Sequence, residues 1–233
     1  LVVDLRDSSV HPRRGFIAST SLEYAHSIGT SLLFGLVHAS DTYTNMLKGS
    51  AAVTGYLPVA EQAALVLSLR GGRIVPIGAS QTILPERFFL GGASTMRGYG
   101  EDEMVPEDVR PLYLSQVAAC ASSLSGLACS SVARELQSGQ TLISEGGQAF
   151  LVAKTELRFP VYHSLEGDLF VDLGNLWLDP ARFTLSDLRV NFGTGLRFLT
   201  PIGPAVFDLG FNASPDGRLG EAVLAPHFSI GLF

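Results

Sequence analysis

Polar and apolar residues alternate with a period of two along most of this chain. In 150–158, Lys154, Glu156 and Arg158 hold one parity while Leu151, Ala153 and Leu157 hold the other. In 168–177, Asp168, Asp172 and Gly174 oppose Leu169, Val171, Leu173 and Trp177. The rule repeats in 189–198, where Arg189, Asn191, Gly193, Gly195 and Arg197 oppose Val190, Phe192, Leu196 and Phe198. It repeats again in 205–212, with Asp208, Gly210 and Asn212 opposite Ala205, Phe207, Leu209 and Phe211. Earlier, Lys48, Ser50, Ala52 and Thr54 oppose Leu47, Ala51, Val53 and Leu57, and Leu65, Leu67 and Leu69 alternate with Val66, Ser68 and Arg70 until Gly71-Gly72. Successive side chains on a strand point to opposite faces, so each segment predicts a strand with one polar and one apolar face. Val2–Arg6, Phe16–Tyr24 and His227–Phe233 add shorter runs, giving about nine strands. Residues 28–43 read equally as a strand or a loop.

The segment length decides between architectures. Runs of about 9–11 residues suit a strand crossing a bilayer at a tilt. Short turns (Pro58–Glu61, Pro201–Pro204) alternate with long connections. A soluble sandwich also alternates, but it would rarely set Gly, Asp and Arg so regularly against Phe and Leu. The pattern predicts an all-β, antiparallel, up-and-down transmembrane barrel.

Composition supports that reading. Hydrophobic residues make up 46% of the 233 and charged residues only 16%, and mean hydropathy is +0.29. No apolar run approaches the length of a membrane helix, whereas a barrel spreads its lipid face over alternate residues. A net charge of −6 and the lack of a basic stripe argue against nucleic acid as a partner. Leu1-Val2-Val3 reads as the middle of a strand, without a signal peptide, and suggests a piece of a longer protein.

Residues 74 to 145 break the rhythm, and so long a loop is uncommon unless functional. Within it lies Gly91-Gly92-Ala93-Ser94-Thr95-Met96-Arg97-Gly98-Tyr99-Gly100, followed by an acidic patch, Glu101, Asp102, Glu103, Glu107 and Asp108. Glycines at this density, Gly91, Gly92 and Gly98 among them, serve unusual backbone angles or close approach. A guanidinium stays charged and needs anionic partners. By parity Glu156 and Asp172 fall on the polar, lumen side of adjacent strands and are candidates to pair with Arg97, although a solvated loop arginine fits the residues as well. Cys120 and Cys129, both in the loop, read as a disulfide if the loop faces an oxidising compartment; no nearby His supports zinc.

Enzyme signatures are absent: the five histidines are scattered, and there is no His-Glu-x-x-His or Gly-x-Ser-x-Gly. No Gly-Lys-Ser/Thr follows the glycines to make a phosphate loop, and no cofactor or metal is expected. Asn212-Ala213-Ser214 followed by Pro215 reads as a chance glycosylation triplet. Trp177, Tyr162 and Phe183 are expected in an interfacial aromatic girdle.

Several motifs, in one order, resemble the BamA-type outer-membrane assembly factors of the surface-antigen superfamily, with TamA and the two-partner secretion transporters as relatives. Leu90-Gly91-Gly92 and then Arg97-Gly98-Tyr99 resemble the family's arginine-glycine-aromatic signature. Glu156-Leu157-Arg158-Phe159-Pro160 is similar to the strand after it, and Phe170-Val171-Asp172-Leu173-Gly174 to its aromatic-x-Asp-x-Gly strand. Gly195-Leu196-Arg197 through Pro204 resembles the penultimate hairpin and Phe228–Phe233 the closing strand, with Phe233 off the apolar parity. Upstream, Asp4-Leu5-Arg6-Asp7 with Pro12 and Gly15 also fits.

The resemblance implies that 1–233 is the C-terminal portion of a barrel of roughly sixteen strands, with its first strands and periplasmic POTRA domains outside this chain. It implies a loop lock, in which Arg97 with Gly98 and Tyr99 pairs with Glu156 and Asp172. It implies a non-enzymatic function in the bacterial outer membrane: helping nascent outer-membrane proteins fold into lipid, with periplasmic or lipoprotein accessory subunits as partners. A TamA-type or secretion barrel, a barrel anchoring a patatin-like lipase, and a passive pore are the alternatives.

Overall fold

A computed structural model describes residues 1–26, 44–78, 80, 82–122, 129–137, 144–200 and 203–230. The ambiguous stretch 28–43 and the final residues 231–233 lie mostly or wholly outside the described residues.

The described strands form one nine-stranded antiparallel sheet in sequence order. They are β1 (Val2–Asp4), β2 (Gly15–His26), β3 (Asn45–Pro58), β4 (Ala64–Pro76), β5 (Ala149–Tyr162), β6 (Leu165–Trp177), β7 (Arg189–Phe198), β8 (Ala205–Asn212) and β9 (Leu224–Ile230). Each strand pairs with its neighbour in the chain; β1 and β9 do not pair, so the sheet is open. Several strands are longer than the alternation suggests. β4 runs through Gly71-Gly72 rather than ending there, because Gly71 pairs with both Ala51 and Leu151. Phe88 and Phe150 pack where a side chain at Gly72 would stand.

The sheet is inverted relative to a soluble protein. Asp172 on one parity of β6 is 0% exposed, whereas Leu169 on the other is 53% exposed. Leu67, Leu157, Val171, Phe192, Leu196 and Phe207 likewise face outward, while Glu156, Asp168, Asn191, Arg197 and Asp208 are buried. Apolar surface of this extent suits lipid. Among the described residues no helix is long and apolar enough to cross a membrane.

Short turns join β3 to β4, β5 to β6 and β7 to β8 at one end; the long connection between β4 and β5 leaves from the other. That connection is not a bare loop. It contains α1 (Arg110–Ser122) and α2 (Ser131–Gln137), which the sequence reading missed. Met104 donates its backbone N–H to the Leu90 carbonyl, and Phe88 bridges Gly147, so the segment between them is pinched into a compact finger. The girdle expectation fails at Trp177. It is only 1% exposed, covered by Phe183 at 4.6 Å between ring centroids, because the connection after β6 folds over the strand end. Tyr162, in contrast, is exposed.

Candidate functional site

The finger enters the inner face of the sheet tip first. Its base is apolar: Leu90, Met96, Tyr99 and Met104 pack with Val152 of β5 and Leu176 of β6. Gly91 starts the tip at φ 123°, a region open to glycine, and a Cβ there would lie 2.2 Å from the Gly100 carbonyl. Gly92, also at positive φ, faces the Glu101 carboxylate. Thr95 closes the turn by donating its hydroxyl to the Gly91 carbonyl at 2.7 Å and accepting the Gly91 N–H at 2.9 Å.

Arg97 stands at the end of the tip and is buried. Its Nε and Nη2 donate to the two oxygens of Asp172 at 2.9 and 2.8 Å, a bidentate fork, and its backbone N–H reaches the same carboxylate at 3.2 Å. Nη1 donates to Glu156 on β5 at 2.9 Å and to Asp208 on β8 at 3.2 Å. The guanidinium carbon lies over the Phe170 ring, 3.4 Å from its centroid. Three strands thus hold one side chain.

The network spreads along the inner face. Glu156 also accepts from Arg158 Nε at 2.7 Å and Arg197 Nη2 at 2.6 Å, and Arg197 Nε donates to Asp168 at 3.1 Å. Lys154 and Arg70 donate to the backbone carbonyls of the tip itself, at Ala93 and Ser94. Four carboxylates (Glu156, Asp168, Asp172, Asp208) therefore meet four cations (Arg97, Lys154, Arg158, Arg197) in a confined space. A buried ion pair is costly to break by removing one partner, because the survivor stays buried and unpaired.

Backbone closeness completes the fit. Gly98 packs against Asn191 of β7, whose side-chain oxygen accepts the Gly98 N–H at 3.1 Å. A Cβ on Gly210 of β8 would sit 1.8 Å from the Arg97 carbonyl, so the tip can seat only where β8 has no side chain. That carbonyl accepts from His227 Nε2 of β9 at 3.0 Å, with the ring tautomer assigned accordingly.

Tyr99 belongs to a second network nearer the long-loop end. Arg189 of β7 donates Nη1 to the Tyr99 hydroxyl at 3.0 Å and to Glu221 at 2.8 Å, and Nη2 to Glu107 at 2.9 Å. Arg110 of α1 also pairs with Glu221, at 2.5 Å. At the short-turn end a third contact closes across the sheet: His11 and Arg13, between β1 and β2, pair with buried Glu166 of β6 at 2.9 and 3.3 Å. Cys120 and Cys129 form a disulfide between the end of α1 and the start of the segment before α2, apart from the arginine cluster.

Arg97, Gly98, Glu156 and Asp172 thus come together at one point, Gly91 and Gly92 shape its approach, and Tyr99 lies one contact further on. The sequence did not assign Asp208, Asp168, Arg158, Arg197, Gly210 or His227 to the site. All except His227 already stood on the stated polar parity, and His227 opens the closing run, opposite the parity of Phe228 and Ile230. Among the described residues no group of His, Cys, Asp and Glu has the arrangement of a metal site. No nucleophile with an adjacent base occurs in the cluster, and each of its four carboxylates accepts from at least one arginine, although one oxygen each of Asp168 and Asp208 is buried without a partner.

The chain is similar in part to known proteins. Over 107 residues, 46% of this chain, it is 30% identical to the sorting and assembly machinery component 50 homolog of Mus musculus and 27% identical to that of Homo sapiens. The match covers 20% of each of those relatives' length. The fold is similar to a crystal structure of BamA from Haemophilus ducreyi lacking POTRA domains 1-3, with a TM-score of 0.62 and 14% identity, covering 98% of this chain and 39% of that one. The Omp85 superfamily domain model matches residues 1–233. With an antiparallel outer-membrane sheet, a glycine-hinged finger and a buried arginine at its tip, the chain belongs to the Omp85 superfamily.

Proposed function

We propose that this protein is an outer-membrane assembly factor that folds and inserts nascent β-barrel proteins, and that it does so without covalent catalysis. The observation carrying the proposal is the seating of Arg97: buried, forked onto Asp172 and shared with Glu156 and Asp208 on three strands. A buried arginine paired with carboxylates of three strands holds the finger in the lumen and so fixes the state of the sheet around it. The open sheet supports reading 1–233 as the C-terminal part of a larger barrel, since unpaired edges are costly in lipid. Assembly then proceeds by β-augmentation, a client strand pairing with an exposed edge at the seam between the first and last strands. POTRA domains of the whole protein would engage periplasmic or lipoprotein accessory subunits.

The disulfide supports a bacterial envelope. It lies at the long-loop end, which in a bacterial outer membrane faces the oxidising exterior; thiols facing a cytosol would be kept reduced. Thiol labelling of intact cells tests this: Cys120 and Cys129 should label only after reduction, and labelling without reductant would contradict it.

The assembly reading is tested with the full-length protein in proteoliposomes and an unfolded small outer-membrane barrel as client. The unsubstituted protein accelerates client folding, and Arg97→Ala reduces that acceleration and the heat-modifiable gel shift together. Unimpaired assembly with an unchanged gel shift in Arg97→Ala would sink the role given to the arginine.

A further inference from the structure

The last described strand has two edges of unequal quality. Asn212 of β8 donates its backbone N–H to the Val223 carbonyl at 3.0 Å, and Ala213 donates in the opposite direction, to the carbonyl of Val190 in β7, at 3.1 Å. In an antiparallel ladder this alternation continues residue by residue. Gly210, Asp208 and Val206 therefore turn toward β9, and their partners Ala225, His227 and Ser229 turn toward β8. The backbone groups of Leu224, Pro226, Phe228 and Ile230 point the other way, to the free edge. Pro226 consequently costs the β8–β9 ladder nothing, which is the placement proline requires in a sheet. Its cost falls on whatever pairs next.

We propose that Pro226 is the residue that limits client pairing on β9, confining the continuous ladder to Phe228 and Ile230. This rests on the assembly reading given above and deepens it. A strand laid along the free edge finds an N–H and a carbonyl at Phe228 and again at Ile230. At Pro226 it finds a carbonyl but no donor, and the ring stands where the partner's backbone would approach. In lipid no water satisfies the stranded partner carbonyl, so the ladder stops there. The direction of β9 gives the limit a meaning. The strand descends from the connection after β8 toward the end carrying the short turns, so Phe228 and Ile230 lie nearer those turns and Leu224 lies beyond the proline. A client strand arriving from the short-turn side meets a usable edge first and a block next. Phe228 and Ile230 are exposed, with their side chains on the lipid-facing parity, ready to pack beside an apolar client face. On the other side of the same strand, His227 holds the Arg97 carbonyl, so β9 stays attached to the finger while its outer edge is in use.

The test places a photo-crosslinking amino acid at Leu224 or at Phe228 in the full-length protein, reconstituted in proteoliposomes with an unfolded small outer-membrane barrel as client. Adducts with client are expected from position 228 and at least tenfold fewer from 224. Pro226→Val, which restores the donor, is expected to bring the adducts at 224 up to the level at 228; Pro226→Ala serves where the valine variant does not assemble. Equal adducts at both positions in the unsubstituted protein, no change on replacing the proline, or adducts only within the protein's own chain would overturn the proposal. Client folding without adducts at either position overturns it while leaving the assembly reading intact. A failure to fold client at all removes both.

Discussion

The two halves of the sheet obey the same parity rule and satisfy it with different chemistry. Across β5–β8 the inner face carries Glu156, Asp168, Asp172, Arg197 and Asp208, buried beneath the finger. At mid-height across β2–β4 it carries hydroxyls instead: Ser21 faces Ser50 at 2.7 Å and Thr54 faces Ser68 at 2.9 Å. The connection meets this surface at its margin, where Arg70 of β4 donates to the Ser94 carbonyl at 3.3 Å and Lys48 of β3 lies over the Phe88 ring, and a hollow of about 680 Å³ lies between Ser21, Ser50, Gly72 and Phe183. Charge is affordable inside this barrel where another segment supplies the opposite charge, and neutral hydroxyl pairs suffice elsewhere. The finger is therefore not a plug resting in a polar lumen. It is a component of the charged half, which would be unstable without it.

The largest effect should come from the hub of the charged half. Glu156→Ala leaves Arg97, Arg158 and Arg197 short of their shared carboxylate and should cost about 3–5 kcal/mol, the range for breaking a buried pair from one side. Loss of the heat-resistant folded band at a temperature the unsubstituted protein survives is the readout. A smaller effect is expected at Gly210. In Gly210→Ala the new methyl would stand 1.8 Å from the Arg97 carbonyl, so the tip must lift or β8 must bend, at about 1–3 kcal/mol for overpacking. Limited proteolysis should then cut within 91–100 faster than before. The smallest effect belongs to the hydroxyl half: Thr54→Val should change stability by no more than about 0.5 kcal/mol. A Thr54→Val loss as large as that of Glu156→Ala would erase the distinction between the halves.

How much of this was legible beforehand follows from the same distinction. The strands were readable because a period of two survives along β3 to β8, and the pairing candidates for Arg97 followed from parity together with the family resemblance. Asp208 obeys the same parity one hairpin later and was within reach of that reasoning. The finger's interior was not legible. The apolar residues of α1 are scattered around the helix rather than gathered on one stripe, so no 3.6-residue period announces it. Trp177 misled for a related reason: parity gives the face a residue points to, but only tertiary structure shows that a connection has folded over that face. His227 was read as the start of the closing run; Pro226 hid the strand's first residues, at the position where the outer edge makes proline tolerable, and nothing in the sequence marked His227 as a partner of the Arg97 carbonyl.

Amide hydrogen exchange across residues 91–100, compared between the full-length protein and its Asp172→Asn variant, tests the central claim most directly. The substitution keeps the side chain's shape and removes the charge that takes the Arg97 fork. If the ion cluster holds the finger in the lumen, the amides of Arg97 and Gly98 exchange slowly in the unsubstituted protein and at least tenfold faster in the variant, while β2–β4 are unchanged. Equally fast exchange in both proteins would contradict the account.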